Sequence, residues 1–313
     1  MSILVLGAFN YNRAMAAAPQ RVLRLVRESK LAALLSNPPH GAVLEASGVA
    51  IKGRDYFVVF DNVRQVARLS PDLHPSGGTH AWVGRLRPGE GYEDIAYSAH
   101  QRRFYLLIEA EKHPDGTYKA VVEECDEAWR YKGRSWVDFS FETRRTGFEG
   151  LGAARWRGAD YLLALCEGNK GLHGRVGRKP GGGRIQVLQK GDRAWQVVAE
   201  IKLPRALDFK DYSALALRGS RIAVVSQQSS RVWVGTLRRS DWSIVGAGRT
   251  FDLPRTGKGK RLYCNVEGLA WPSANTFVMV SDVRKRGYPN RCCRTEQSIH
   301  IFSTVSRGRR KDA

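Results

Sequence analysis

The sequence predicts an all-β fold, a single closed β-propeller, from three observations. A short phrase recurs five times: Ser47-Gly48-Val49-Ala50, Glu93-Asp94-Ile95-Ala96, Glu149-Gly150-Leu151-Gly152, Ser213-Ala214-Leu215-Ala216 and Glu267-Gly268-Leu269-Ala270. Each copy leads through a turn into an apolar run, and an alternating segment follows each run. The copies start 46 to 64 residues apart, the period of a propeller blade. Four short strands per unit is what such a blade needs.

Taken in order, residues 19 to 36 read two ways. Val22, Leu25, Val26, Leu31, Leu34 and Leu35 fit a helical face, and Val22 to Arg27 also fits an extended strand. Pro38-Pro39-His40-Gly41 then breaks any helix. From Leu44 onward the pattern is β. The recurring phrase forms the innermost strand. The second strands are Tyr56 to Phe60, Phe104 to Ile108, Tyr161 to Leu165, Ile222 to Val225 and Phe277 to Val280. The third are Val63 to Leu69, Tyr118 to Glu123, Arg184 to Gln189, Arg231 to Thr236 and Ser298 to Ser303. A fourth segment carries an aromatic in four units: Trp82, Trp136, Trp195 and Trp242. The fifth unit has no fourth strand of its own, so a strand within residues 20 to 30 is expected to complete it, because an open ring would leave edges unpaired. That makes five blades, or six if residues 1 to 40 hold more strand. The expected division is an N-terminal tail at 1–19, the propeller at 20–305 and a basic, disordered tail at 306–313.

The chain has 313 residues, 42% of them apolar, and no apolar stretch long enough to span a membrane. It reads as a monomer. The net charge of +21 favours an anionic partner: a phosphorylated small molecule, nucleic acid or another polyanion. The alternative is a solvated, arginine-rich surface. The five cysteines are odd in number and match no zinc spacing. Free thiols are expected, including the adjacent Cys292 and Cys293, and with them a reducing, cytoplasmic setting. A secreted or periplasmic protein is the other reading: Met1 to Phe9 is an apolar run and Ala14-Met15-Ala16 a cleavage-like site. Against it, no basic residue precedes the run and Arg13 sits just before the site.

Adjacent antiparallel strands put the start of the first strand and the end of the second at one face. The first strand brings Ser47, Glu93, Glu149, Ser213 and Glu267 there. The second brings Asp61, Asn62, Glu109, Glu111, Glu167, Asn169, Gln227, Gln228 and Asp282. Crowded carboxylates need compensation, and a hard cation with oxygen ligands supplies it. Glu93, Glu149, Glu267 and Asp282 are therefore the candidate ligands of Ca²⁺ or Mg²⁺. The bland alternative is that each Glu accepts backbone N–H groups of the neighbouring blade.

Two loops between second and third strands are basic. Arg175, Arg178 and Lys179 lie on the first, and Arg284, Lys285 and Arg286 on the second. They are the candidates to hold an anionic substrate at the rim. The first loop, Asn169 to Gly183, is glycine-rich but fails the Walker and dinucleotide patterns. No catalytic residue can be assigned. His173 and His300 remain by elimination, and His300 sits on an alternating strand, as a structural histidine would.

The segment Asn265-Val266-Glu267-Gly268-Leu269-Ala270-Trp271, followed by Val280-Ser281-Asp282, resembles the SdiA-regulated and esterase-like phytase propellers. Glu149 to Gly152 is a modified copy, and the resemblance covers residues 44 to 305. It implies a site at the central channel with a divalent cation, and it places Glu149, Glu267 and Asp282 there. Ser47 and Ser213 stand where that pattern has Glu, which thins the ligand set. The basic balance also departs from the acidic composition of propeller phytases. The expected function is metal-assisted hydrolysis of an anionic, phosphate-ester-like molecule. The alternative is a non-catalytic propeller that binds a polyanion or protein through its basic loops, or a purely structural module.

Overall fold

The computed structural model of the protein describes residues 21–76, 79–144, 146–172 and 174–305. The expected tails at 1–19 and 306–313, and His173, lie outside the described residues. The described chain is nearly all β and propeller-like. Four-stranded units follow one another: β2 (Ala46–Lys52), β3 (Asp55–Phe60), β4 (Val66–Leu69) and β5 (Ala81–Val83) form the first. The second holds β6 (Asp94–Ser98), β7 (Arg103–Lys112), β8 (Tyr118–Asp126) and β9 (Tyr131–Phe141). The third holds β10 (Phe148–Trp156), β11 (Ala159–Cys166), β12 (Arg184–Lys190) and β13 (Ala194–Lys202). The fourth holds β14 (Ala214–Arg218), β15 (Arg221–Ser226), β16 (Arg231–Arg238) and β17 (Ser243–Asp252). In the fifth, β18 (Val266–Ser273), β19 (Thr276–Ser281) and β20 (Ser298–Ser303) are joined by β1 (Arg24–Lys30), which pairs antiparallel with β20.

The ambiguous segment near the N-terminus is thus a strand that turns into α1 (Leu31–Leu34). Val22 and Val26 stay half exposed, while Leu31, Leu34 and Leu35 are buried. One pairing was not legible from the repeat: the outer strands β9 and β13 run parallel, Trp136 opposite Ala194, and join units two and three along their rims.

The innermost strands neighbour one another in sequence, β2 beside β6, β6 beside β10, β10 beside β14 and β14 beside β18, and β18 lies beside β2. The small residue in the recurring phrase permits this approach. A Cβ on Gly48 would lie 2.6 Å from the Asp94 Cα, and one on Gly268 would lie 2.9 Å from the Gly48 Cα. Alternate residues of the strands fill apolar layers between units. Val58 and Phe60 pack with Val278 and Val280, Val225 with Phe277 and Met279, and Leu107 with Leu162. Leu163 packs with Val224, and Phe57 with Phe104. Each fully buried side chain of this kind stabilises the fold by about 1.5–3 kcal/mol.

The thiol expectation needs correcting. Cys264 and Cys292 form a disulfide across a separation of 28 residues, with Cα atoms 5.7 Å apart. Folding brings the start of β18 against the loop before β20, at a spacing suited to a cross-link. Cys125, Cys166 and Cys293 are free. Among the described residues no helix is long and apolar enough to cross a membrane.

Candidate functional site

The recurring phrase positions its first residue by a defect in pairing. In β2, Ala46 opposes Phe60 and Gly48 opposes Val59, which leaves Ser47 unpaired in a bulge. The same skip falls at Glu149 in β10 and at Glu267 in β18. A bulge re-aims the extra residue and bends the strand. It therefore turns these side chains out of the blade's own ladder.

Ser and Glu then part ways. Ser47 Oγ donates to the Tyr92 carbonyl, and Ser213 Oγ donates to the Val266 carbonyl at 2.8 Å. Each serine ties its unit to another. The carboxylate that accepts a backbone N–H group across units is Asp94, the residue after Glu93. Its Oδ1 accepts Ile95 N–H at 2.8 Å and its Oδ2 accepts Leu151 N–H at 2.6 Å. Burial pushes the Asp94 carboxyl well up, and these two bonds oppose the shift.

The glutamates instead crowd one another. Burial, then Glu109, Glu267 and Asp61, raises Glu93 well above the usual carboxylate range, with Lys285 opposing. Burial, then Glu93, Glu167, Glu109 and Glu267, does the same to Glu149. Both keep some surface open to solvent. Glu109 rises to about 7, from burial and Glu167. Asp282 also rises to about 7, from burial and Glu267, while Val283 N–H pulls it down. Asp61 rises to about 8, from burial, a hydrogen bond with Glu45, and the charges of Asp282, Glu45 and Glu267. A carboxyl shifted upward by like charges and burial marks a site built around charge.

The tightest group is Asp61, Glu267 and Asp282, with one oxygen from each within 4.8 Å of the others. Asp61 directly follows β3 in the first unit, and the other two belong to the fifth. Asp61 Oδ1 is buried and has no hydrogen-bond partner among the described residues. Asn265 Nδ2 donates to Asp282 Oδ2 at 2.7 Å, and Gln227 Nε2 lies 3.4 Å from Glu267 Oε1. The amide oxygens of Asn265 and Gln227 are also buried without partners. An all-oxygen donor set with orphaned oxygens fits Ca²⁺ or Mg²⁺ and does not suit zinc.

Lys285 is the cation within this group. Its Nζ lies 2.8 Å from Glu267 Oε1, and the ring of carboxylates holds it well above the usual lysine range despite partial burial. Its side chain is half exposed, so it covers the mouth from the solvent side. Arg284 turns elsewhere: its Nη1 donates to the Tyr288 carbonyl at 2.8 Å. Arg178 borders a recess of about 150 Å³ with Glu167 and Asp211, at the rim of the acidic mouth. Arg175 and Lys179 are exposed on the same loop.

Some oxygen-bearing residues do not join the mouth. Glu111 pairs with Arg134 at 2.7 Å, beyond the register shift in β7. Asn62 donates to the Val43 carbonyl. Asn169 folds the glycine-rich loop by donating to the Gly177 and Phe209 carbonyls and accepting Gly182 N–H at 2.9 Å. At the far end of the inner strands, a cavity of about 390 Å³ is lined by Val49, Ile95, Leu151, Leu215 and Leu269.

One arrangement was not legible in the sequence. Ser281 Oγ lies 2.8 Å from His300 Nε2, and His300 Nδ1 lies 2.8 Å from Glu28 Oε2. The order resembles a nucleophile, base and orienting acid. Ser281 and His300 are 1% and 0% exposed, which leaves a substrate no approach. The network instead ties β1 to β20 and β19. Only the pairing of β1 with β20 brings Glu28 there, and nothing local in the sequence announces it.

No family model and no curated protein matches the chain. Among solved structures it is similar to a glutaminyl cyclase from Myxococcus xanthus, at 13% identity over 92% of this chain and 99% of that one, TM-score 0.49. It is similar to the PQQ-bound aldose sugar dehydrogenase of Streptomyces coelicolor, at 13% identity over 91% and 99%, TM-score 0.48. A luciferin-regenerating enzyme matches at 11% identity over 88% and 94%, TM-score 0.47. At these identities and scores the likenesses carry no argument about chemistry.

Proposed function

We propose that the chain is a closed five-bladed propeller whose acidic mouth binds Ca²⁺ or Mg²⁺ and hydrolyses an anionic, phosphate-ester-like molecule. The observation that carries this reading is the convergence of Asp61, Glu267 and Asp282 within 4.8 Å, with an Asp61 oxygen left unpartnered. A divalent cation there would polarise the ester and lower the pKa of a bound water. The protein's own groups have separate parts. Asp61, Glu267 and Asp282 would hold the cation, with Glu93 and Glu149 beside them in the mouth. Lys285 swings from Glu267 to the substrate anion, and Arg178 steers that anion toward the rim. Glu109, raised to about 7, is suited to carrying a proton at neutral pH.

Calorimetric titration of the full chain with CaCl₂ and MgCl₂ tests this. The wild type should bind at micromolar to millimolar concentration. Glu267→Gln with Asp282→Asn should weaken binding by at least about tenfold, the loss of about 1.4 kcal/mol. Absence of binding in the wild type at millimolar metal would refute the reading. A second reading, a scaffold that binds a polyanion, rests on the exposed Arg175, Arg178 and Lys179 and on the net charge of +21. It predicts steep salt dependence with no effect of a chelator.

A further inference from the structure

Away from the channel, between the first two units, lies a cavity of about 560 Å³. That volume lies in the range that takes a small organic ligand. Val66, Val83 and Leu106 supply an apolar wall. The indole of Trp129 is held by stacking on Phe104, with centroids 4.4 Å apart and planes at 17°. Tyr131 is 42% exposed, and the Arg87 guanidinium sits 3.8 Å above its ring.

The charge of this cavity does not balance. Glu123, 2% exposed, takes Arg64 at 2.8 Å, Arg87 at 3.2 Å and the Tyr92 hydroxyl at 2.9 Å. One carboxylate therefore serves two guanidinium groups. Arg85 also lines the cavity and makes no ion pair with a described residue. Arg64 is only 8% exposed, and its Nε has no hydrogen-bond partner among the described residues. A buried guanidinium N–H without an acceptor is costly, and an anion in the cavity would relieve that cost. Flat aromatic faces beside surplus guanidinium groups suit a flat, negatively charged molecule.

We infer that this cavity binds a planar aromatic anion, its ring against Trp129 and Tyr131 and its phosphate or carboxylate against Arg64, Arg85 and Arg87. The site is separate from the acidic mouth and does not depend on a cation there.

Calorimetric titration of the full chain tests it, with adenosine monophosphate and naphthoate as probes and adenosine and inorganic phosphate as controls. At least one of the two aromatic anions should bind saturably, and at least about tenfold more tightly than either control. Arg85→Gln and Arg87→Gln, both at solvent-reachable positions, should each weaken that binding about tenfold. Trp129→Phe should weaken it less, because a smaller ring remains. Glu267→Gln, at the acidic mouth, should leave it unchanged. The inference is overturned if neither aromatic anion binds at millimolar concentration. It is equally overturned if both arginine variants bind as the wild type does, or if Glu267→Gln abolishes binding.

Discussion

Replacing Asp61 by asparagine removes one charge from the acidic mouth and keeps the side chain's size. Burial and the neighbouring Glu45, Asp282 and Glu267 raise this carboxyl from 3.8 to about 8. The folded protein therefore holds a proton that the unfolded chain has already lost. Its contribution to stability is full below about pH 4 and falls as pH rises toward 8. Each pH unit in that window costs the fold about 1.4 kcal/mol, an upper bound of about 5–6 kcal/mol. Water at the open mouth and the Lys285 ammonium reduce the repulsion, so about 2–3 kcal/mol is expected. In chelator, Asp61→Asn should equal the wild type near pH 4 and exceed it by that amount near pH 8. Urea melts across the pH series measure it, with an unchanged m-value as the two-state check. Calcium at pH 8 should restore stability to the wild type alone. A variant less stable than the wild type at every pH would refute the argument and make Asp61 an ordinary structural acceptor.

Three further outcomes follow from named contacts. Asp94→Asn turns an NH₂ toward one of two buried backbone N–H groups, and should cost about 1–3 kcal/mol in a denaturant melt. Ser281→Ala should cost about 1–2 kcal/mol by leaving the buried His300 Nε2 without its partner, and should leave hydrolysis of p-nitrophenyl esters and phosphates untouched. Lost hydrolysis with intact stability would instead make Ser281 a nucleophile. Cys264→Ser with Cys292→Ser should lower stability by about 3–4 kcal/mol, the expectation for opening a loop of this length, and a midpoint equal to the wild type's would contradict it.

The recurring phrase made the inner strands legible because one physical need repeats at Gly48, Gly150 and Gly268: a residue without a side chain where strands approach, beside a bulge at Ser47, Glu149 or Glu267. The apolar runs fell where β3, β7, β11, β15 and β19 lie, since alternate residues must fill the layers between units. The crowding of Glu93, Glu149 and Glu267 was readable from their shared position. Asp61 is readable in the sequence as one of the oxygens of that face, but its closeness to Glu267 and Asp282 depends on units one and five meeting, which no local pattern announces. Asp94 was invisible for a similar reason: its partner Leu151 lies in the next unit. Arg284 and Lys285 are neighbours in sequence, yet only the second reaches Glu267, since a turn at Tyr288 captures the first. The cross-link of Cys264 to Cys292 likewise needed the path of the loop, which spacing alone does not supply.

The acidic mouth sits in a chain whose net charge is +21, and these two facts act at different ranges. A cation approaching through solvent first meets a repulsive field that extends roughly 8–10 Å at ordinary ionic strength. Only inside that shell do the carboxylates draw it in. Capture of the proposed cation should therefore be slow compared with a neutral protein, and added salt should speed it by lowering the outer barrier. An anion experiences the reverse order, fast arrival at the rim and repulsion at the centre, with Lys285 as its last foothold. If the mouth binds as proposed, it would sort cations and anions by rate as well as by affinity, and stopped-flow mixing at two salt concentrations would show opposite trends.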